Sequence, residues 1–159
     1  MTMAHDPGQK AHRGPHIALE CSLPSEVTAI SPFVDKLMLL LRNCDCVPEG
    51  VSDVEIAMRE ALANAIIHGN REDRRKHVHV ICRCEPGDVS IAVRDEGEGF
   101  DINKVPDPTA PENIGSVHGR GIHVIRALMD DVRFEERGAV IHMRKSAGEA
   151  PKAASQGST

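Results

Sequence analysis

The stretch SDVEIAMREALANAIIHGN (residues 52–70) predicts one long helix with a marked beginning and end. Its first residues, Ser52-Asp53-Val54-Glu55, match a capping box, and Gly69 is placed to end the helix about four to five turns later. Apolar residues recur at helical spacing along one side: Val54, Ala57, Met58, Ala61, Leu62, Ala65 and Ile66. This stripe predicts a helix that buries one face against a core.

A strand and a helix are predicted before this stretch. Residues 16–23 alternate apolar and polar side chains, which is typical of a strand with one buried face. Apolar residues then repeat at helical spacing from Phe33 to Leu41, and Ser31 before Pro32 fits an N-cap followed by proline at the first helical position. Residues 25–30 are expected to form a separate helical turn, because Pro32 should break a longer helix.

After the long helix, the pattern predicts two hairpins separated by a loop and a helix. His77 to Cys84 and Val89 to Arg94 alternate as strands, and Pro86-Gly87 between them suits a type II turn. Residues 95–118 form a glycine- and proline-rich loop, and a helix is predicted over residues 121–129. A last hairpin, 132–136 and 139–143, turns around Gly138. The order predicts an α+β two-layer sandwich whose helices cover one face of a mainly antiparallel sheet.

Composition narrows the function classes. The chain has 159 residues, which suits one domain over residues 16–145, with tails at 1–15 and 146–159 that lack periodicity. Aromatic residues make up only 2%, and the net charge of -5 includes no long basic run, so nucleic acid is an improbable partner. No apolar stretch is long enough to cross a membrane, and the N-terminus has no signal-peptide core, so we expect a cytoplasmic protein.

The five cysteines are expected to be reduced thiols. Their number is odd, and the spacing of Cys21, Cys44, Cys46, Cys82 and Cys84 is not typical of a disulfide framework. The two C-x-C pairs are also closer than structural zinc sites usually require. Cys82 and Cys84 share the strand face of Val78 and Val80, which favours burial in the core.

Polar residues on the long helix provide the first candidate site. Glu60, Asn64 and His68 are four residues apart and therefore line one edge of the helix, beside the apolar stripe. A carboxylate and a carboxamide one turn apart offer oxygen ligands of the kind that Mg²⁺ prefers. The alternative is a solvated helix edge.

Two glycine-containing segments provide the other candidates. Asp95-Glu96-Gly97-Glu98-Gly99 follows a strand, where an aspartate can accept a hydrogen bond from an exocyclic amino group and glycines permit close approach; an acidic turn is the alternative. Gly119-Arg120-Gly121 precedes the predicted third helix, and a glycine-rich turn there can present N–H groups to phosphate. For Arg120, the alternative to phosphate binding is an ordinary exposed side chain on the surface.

In this order the three segments resemble the asparagine box and the two glycine boxes of the GHKL ATPase superfamily, which has the Bergerat fold. Within that superfamily, the phrases EALANAIIHGN (60–70) and ALMDDV (127–132) look most like the bacterial anti-sigma-factor serine/threonine kinases. The resemblance covers most of the chain, from Leu19 to Met143.

The resemblance implies roles for individual residues. Glu60 would be the general base that accepts the proton of the attacking hydroxyl, and Asn64 would ligate Mg²⁺ bridging the phosphates of ATP. Asp95 would recognise the adenine amino group, Gly97 would let the base approach, and Gly99 would give the loop its freedom. The ATP lid would lie between Phe100 and His118. Gly119 and Gly121, with the backbone of the following helix from Ile122, would hold the phosphates, and Arg120 or His118 could substitute for an arginine that the family often has in the lid.

The resemblance also implies a function. An anti-sigma factor of this family would be a homodimer, would sequester a sigma factor, and would phosphorylate an antagonist with a STAS domain. One departure is visible, since Ser116-Val117-His118 stand where the family often has an arginine that meets the terminal phosphate. Two alternatives therefore stay open: a module that binds ATP or a partner without catalysis, and the ATP-binding domain of a split histidine kinase.

Overall fold

The computed structural model describes residues 17–99 and 117–147, with only the backbone described for residues 117–119. The strands are β1 (Ile17–Pro24), β2 (His77–Glu85), β3 (Asp88–Arg94), β4 (Asp131–Glu135) and β5 (Val140–Ser146). The helices are α1 (Ile30–Cys44), α2 (Val51–Ala63) and α3 (Val117–Leu128). A π-helical segment, Asn64–Gly69, continues α2, and 3₁₀ turns lie at Val27–Ala29, Pro48–Gly50 and Glu136–Gly138.

The strands form one five-stranded sheet in the order β1-β2-β3-β5-β4, and every pairing between these described strands is antiparallel. Alternation along β2 puts Val78, Val80, Cys82 and Cys84 on the buried face. These side chains join one core with buried residues of α1, α2 and α3, such as Leu37, Leu62 and Ile125. The predicted α+β sandwich is confirmed, with apolar burial on one face of the sheet as its main stabilising contribution.

The hairpin predictions agree with the structure. Gly87 has a φ of 82°, which is the conformation that the third position of a type II turn requires. The predicted end of the last strand at residue 143 is wrong, because β5 extends through Ser146, whose N–H donates to Asp130 Oδ2 at 2.7 Å. Gly69 ends the helical path of α2 and its continuation, as the sequence predicts.

The predicted helix starts are wrong in all three cases. α1 begins at Ile30, directly after the 3₁₀ turn, so Pro32 lies inside its first turn, where its missing N–H is not needed. The Ser31 hydroxyl instead accepts a hydrogen bond from Arg59 Nη1 at 3.1 Å. α2 begins at Val51 with Gly50 as N-cap, which leaves Ser52 inside the helix.

The third wrong start concerns α3, which begins at Val117 rather than at residue 121. Gly119 therefore lies in the first turn, where backbone N–H groups have no partner within the helix, and Gly121 lies beyond that turn. The expected "G-x-G before a helix" is a G-x-G inside a helix.

The expectation of five reduced thiols is also wrong, because Cys46 and Cys84 form a disulfide. Their Cα atoms are 6.1 Å apart although the residues are separated by 38 positions in sequence. The turn after α1 packs on the β2–β3 hairpin, where the Gly87 N–H donates to the Cys46 carbonyl at 2.7 Å. This tertiary contact brings the two sulfurs together, and the spacing of the cysteines in the sequence does not predict the contact. Burial raises the pKa of the neighbouring Cys82 thiol to about 12, so that thiol stays protonated.

Candidate nucleotide site

Glu60 and Asn64 meet the backbone of α3 at one point. A Cβ atom added to Gly121 would lie 2.9 Å from Glu60 Oε2 and 3.0 Å from Asn64 Nδ2. Both side chains are half-buried, and they are one turn apart on the same edge of α2 and its continuation. The structure therefore brings together the first and third sequence segments, and Gly121 is the residue that permits the helices to approach there.

Asp95 and Asn64 border a common cavity. A small cavity of about 20 Å³ lies between the helix and the sheet, and both Asn64 and Asp95 line it. Its other walls come from α2 and its continuation, β3 and the β4–β5 hairpin: Ala61, Ala65, Val93, Phe134, Gly138, Ala139 and Ile141. Asn64 thus borders both the cavity beside Asp95 and the point where Glu60 meets Gly121.

The electrostatic state of Asp95 follows from its burial. Its side chain is only 7% exposed, and desolvation raises the pKa of the carboxyl above its ordinary value of 3.8. The Gly97 N–H donates to Asp95 Oδ1 at 2.9 Å and, together with the charge of Lys76, opposes part of that rise. A buried carboxylate with one oxygen already engaged leaves the other available to a ligand donor.

Gly97 and Gly99 both have local reasons to be glycine. A Cβ atom at Gly97 would collide with the carbonyl of Gly69, so these two backbones cross in direct contact. Gly99 has a φ of 82°, and a Cβ atom there would press on the backbone of Arg137 in the β4–β5 turn. These contacts fix residues 95–99, the Asp95 turn, between α2 and the β4–β5 hairpin. The approach of a base to Gly97 stays a prediction.

The remaining residues of the predicted phosphate set belong to α3. Gly119 lies in the first turn of α3, the Arg120 side chain is exposed, and Ile122 is buried. The side chain of His118 and nearly all of the expected ATP lid, from Phe100 to residue 116, lie outside the described residues. Phosphate contacts of this set stay predictions.

The donor set suits a magnesium ion that also binds phosphate. The Asn64 carboxamide, which lies beside the Glu60 carboxylate, supplies a hard oxygen donor, and Mg²⁺ typically takes one or two protein ligands beside substrate phosphates and water. Asn64 would hold the ion, as the sequence resemblance implies.

Sequence reasoning missed the role of Asn70. The residue follows the helix-ending Gly69, its side chain is 1% exposed, and its Oδ1 accepts a hydrogen bond from the Glu96 N–H at 2.7 Å. The only sequence signal is a polar residue directly after that glycine, which is also typical of an exposed turn.

Known proteins are similar to this chain over most of its length. The family described as histidine kinase-like ATPase domain matches residues 23–145. The serine-protein kinase RsbW of Oceanobacillus iheyensis is 30% identical over 104 residues, which cover 61% of this chain and 66% of the relative. The anti-sigma F factor of Heyndrickxia coagulans is 37% identical over 99 residues, which cover 57% of this chain and 66% of the relative.

A longer match comes from the anti-sigma F factor of Clostridium botulinum (strain Eklund 17B / Type B). It is 35% identical over 127 residues, which cover 74% of this chain and 80% of the relative. In the two matches above, the chain covers just under two thirds of the relative's length. Among the helices of residues 17–99 and 117–147, none combines the length and apolar character of a membrane span. The family match and the arrangement of Glu60, Asn64, Asp95 and Gly121 agree with the GHKL resemblance: the chain belongs to the histidine kinase-like ATPase domain family.

Proposed function

We propose that this chain is an anti-sigma factor with ATP-dependent protein serine/threonine kinase activity. It would sequester a sigma factor and phosphorylate a STAS-domain antagonist, and it would act as a homodimer in the cytoplasm. The main observation in support of this proposal is that Asn64 lines the same cavity as Asp95 and also lies beside Glu60 where both meet Gly121. The names of the relatives, serine-protein kinase and anti-sigma F factor, support the same assignment.

The arrangement suits a nucleotide because its two ends offer different chemistry. The Asp95 carboxylate is an acceptor at the wall of a largely apolar cavity, which suits the exocyclic amino group of adenine. Asn64 and the first turn of α3 lie on the side where phosphates would follow.

The position of Glu60 beside Asn64 and Gly121 supports a role in proton transfer. A carboxylate beside the phosphate end would take the proton from a serine or threonine hydroxyl as its oxygen forms a bond to the terminal phosphorus. The bond from that phosphorus to the bridging oxygen breaks, and ADP leaves with the bond's electrons. A bound Mg²⁺ would neutralise charge on the phosphate oxygens. The protein contributes mainly position and electrostatics, in agreement with a site made from one helix edge and backbone groups.

The test is transfer of label from γ-labelled ATP, with Mg²⁺, to the STAS-domain protein encoded by the same organism. We expect the full chain to label a serine or threonine, and Glu60→Gln to slow transfer by roughly 10²–10⁴-fold. Glu55→Gln is the matched control, because Glu55 lies on the same helix and pairs with Arg59 at 3.1 Å, away from the site. The control should transfer at the wild-type rate.

Two results would overturn the proposal. Undiminished transfer by Glu60→Gln would remove the base. Binding of ATP by the full chain without transfer to its antagonist would favour a non-catalytic binding module.

A further inference from the structure

Asn70 is a fully buried polar side chain whose hydrogen bonds join three parts of the chain. Its Nδ2 group donates to the Ser25 hydroxyl at 2.7 Å and to the His77 carbonyl at 3.0 Å. Its Oδ1 accepts from the Glu96 N–H at 2.7 Å. Asn70 therefore ties the end of the π-helical segment to the residue that follows β1, to the start of β2 and to the turn after β3.

The contact with Glu96 is made at the centre of the Asp95 turn. Glu96 lies between Asp95, which lines the cavity, and Gly97, whose N–H donates to Asp95 Oδ1. On the same side, a Cβ atom at Gly69 would collide with the Asp95 carboxylate. Gly69 therefore packs against one side of the Asp95 side chain. Asn70 holds the backbone of Glu96, the residue that follows Asp95.

The anchor of Asn70 is itself rigidly held. Ser25 is 1% exposed, and its hydroxyl donates to the Lys76 carbonyl at 2.8 Å while it accepts from Asn70. The Asn70 carboxamide thus uses both donors and one acceptor in the interior. Aspartate would lack the two donors and alanine all three groups, so the position requires an amide.

We propose that Asn70 is a positioning residue that sets the selectivity of the site for a 6-amino purine, by holding the Glu96 backbone and with it the Asp95 carboxylate. This inference rests on the proposed role of Asp95 in binding adenine. It extends that role, because it assigns base selectivity to a residue that lines no part of the cavity. Without the Glu96 contact, the Asp95 turn gains freedom and its carboxylate loses a fixed direction toward the base.

The experiment compares the binding of two nucleotides that differ at one group. Dissociation constants of ATP and inosine triphosphate are measured calorimetrically with Mg²⁺ on the full chain, because the latter has a carbonyl where adenine has its amino group. We expect the wild type to bind ATP at least about tenfold more tightly, as for one well-placed hydrogen bond to a charged acceptor. Asn70→Ala should bring the ratio close to one.

Ser25→Ala is the matched control. It removes a buried hydroxyl from the same network, and with it a hydrogen-bond partner of Asn70, but leaves the Oδ1 contact with Glu96 in place. We expect a lower melting temperature with the ATP preference retained. An equal loss of preference in both variants would show that Asn70 acts only through general stability and would overturn the inference.

A second pair of variants avoids the buried position, in case Asn70→Ala does not fold. Glu96→Pro removes the N–H that Asn70 holds, and Glu96→Ala keeps that N–H while removing the same side chain. The inference predicts loss of the ATP preference in the proline variant alone. In an Asp95→Asn background, Glu96→Pro should then change the ratio no further.

The outcomes separate this inference from the function on which it rests. A wild type that binds both nucleotides equally would remove the role of Asp95 and this inference with it. A wild type that prefers ATP, together with Asn70→Ala and Glu96→Pro variants that keep the preference, would overturn the role of Asn70 alone.

Discussion

The two ends of the α2 helical path are held by different kinds of contact. Near its start, Lys145 Nζ donates to the Leu128 carbonyl at 2.7 Å and pairs with Asp53 at 3.2 Å, and the Cys46–Cys84 disulfide lies just before the helix. Near its end, the contacts are close crossings of glycine backbone with the side chains of Glu60, Asn64 and Asp95.

The difference separates stability from function. Charges at the start of α2 are paired and joined to the end of α3, so they stabilise the packing of the two helices. Polar side chains at the other end lie around Gly121 and the cavity, where we propose that they bind a ligand. Changes at the start of α2 should therefore lower stability with little effect on nucleotide affinity. Changes at the far end should weaken nucleotide binding or phosphoryl transfer with little effect on stability.

The largest expected effect is at the start of α2. Reduction of the Cys46–Cys84 disulfide opens a loop of 38 residues and should lower the free energy of unfolding by roughly 3–4 kcal/mol. Urea unfolding with and without a reducing agent measures this change. Cys44→Ser is the control, because Cys44 is a free, half-buried thiol and should leave the difference intact. Identical unfolding curves under both conditions would contradict the cross-link.

Gly121→Ala tests the other end. The new methyl group meets the ends of two flexible side chains, so the helix should fold and gain about 0.5–1 kcal/mol from the better helix former. Displacement of Glu60 and Asn64 should nevertheless reduce phosphoryl transfer by roughly 10–100-fold. The transfer rate and the melting temperature are measured together, with His123→Ala on the exposed side of α3 as control. Unchanged transfer in the alanine variant would show that this contact does not position the two groups.

Lys145→Met should have a smaller effect, confined to stability. The side chain is 17% exposed and its partners Asp53 and Asp130 are more open, so we expect a loss of about 1–2 kcal/mol. Chemical unfolding measures the loss, and calorimetry should give an unchanged dissociation constant for ATP. A weaker ATP affinity without a change in stability would contradict the claim that the start of α2 contributes to stability alone.

The smallest expected effect is the pH dependence of Asp95. Because burial raises the pKa of Asp95, the carboxylate that we propose accepts from adenine becomes protonated at a higher pH than an ordinary carboxylate would. ATP affinity should therefore fall about tenfold as the pH decreases through this pKa, which corresponds to the loss of one hydrogen bond to a charged acceptor. Folding stability contributed by this group changes in the opposite direction, because the folded state binds the proton more tightly than the unfolded chain.

ATP is titrated at several pH values into the wild type and into the Asp95→Asn variant. The comparison separates the effect of Asp95 protonation on ATP affinity from the effect of protonation of the nucleotide itself. A variant with the same pH dependence as the wild type would show that Asp95 is not the titrating group.

The sequence was sufficient for the fold because its patterns are local. The stripe on α2, the alternation of β2 and β3 and the Pro86-Gly87 turn each predict an element that the structure contains. The predicted starts of α1 and α2 were wrong because 3₁₀ turns run directly into these helices, and a capping sequence does not exclude an earlier start.

Parts of the site could not be predicted from local patterns. The disulfide and the contact between Asn70 and Glu96 join residues 38 and 26 positions apart. The reason for glycine at position 97 is the carbonyl of Gly69 on another element, which no spacing rule contains. The resemblance of the three segments to a family supplied what the residues alone left open, and the family match confirms that resemblance.

The central claim is that Glu60, Asn64 and Asp95, from two distant segments, belong to one magnesium–nucleotide site. The most direct measurement is a crystal structure of the full chain with Mg²⁺ and a non-hydrolysable ATP analogue. We expect the adenine amino group within hydrogen-bond distance of the Asp95 carboxylate and the metal ion bound to Asn64 Oδ1. A nucleotide bound elsewhere, or one held at Asp95 with its phosphates directed away from Asn64 and α3, would contradict it.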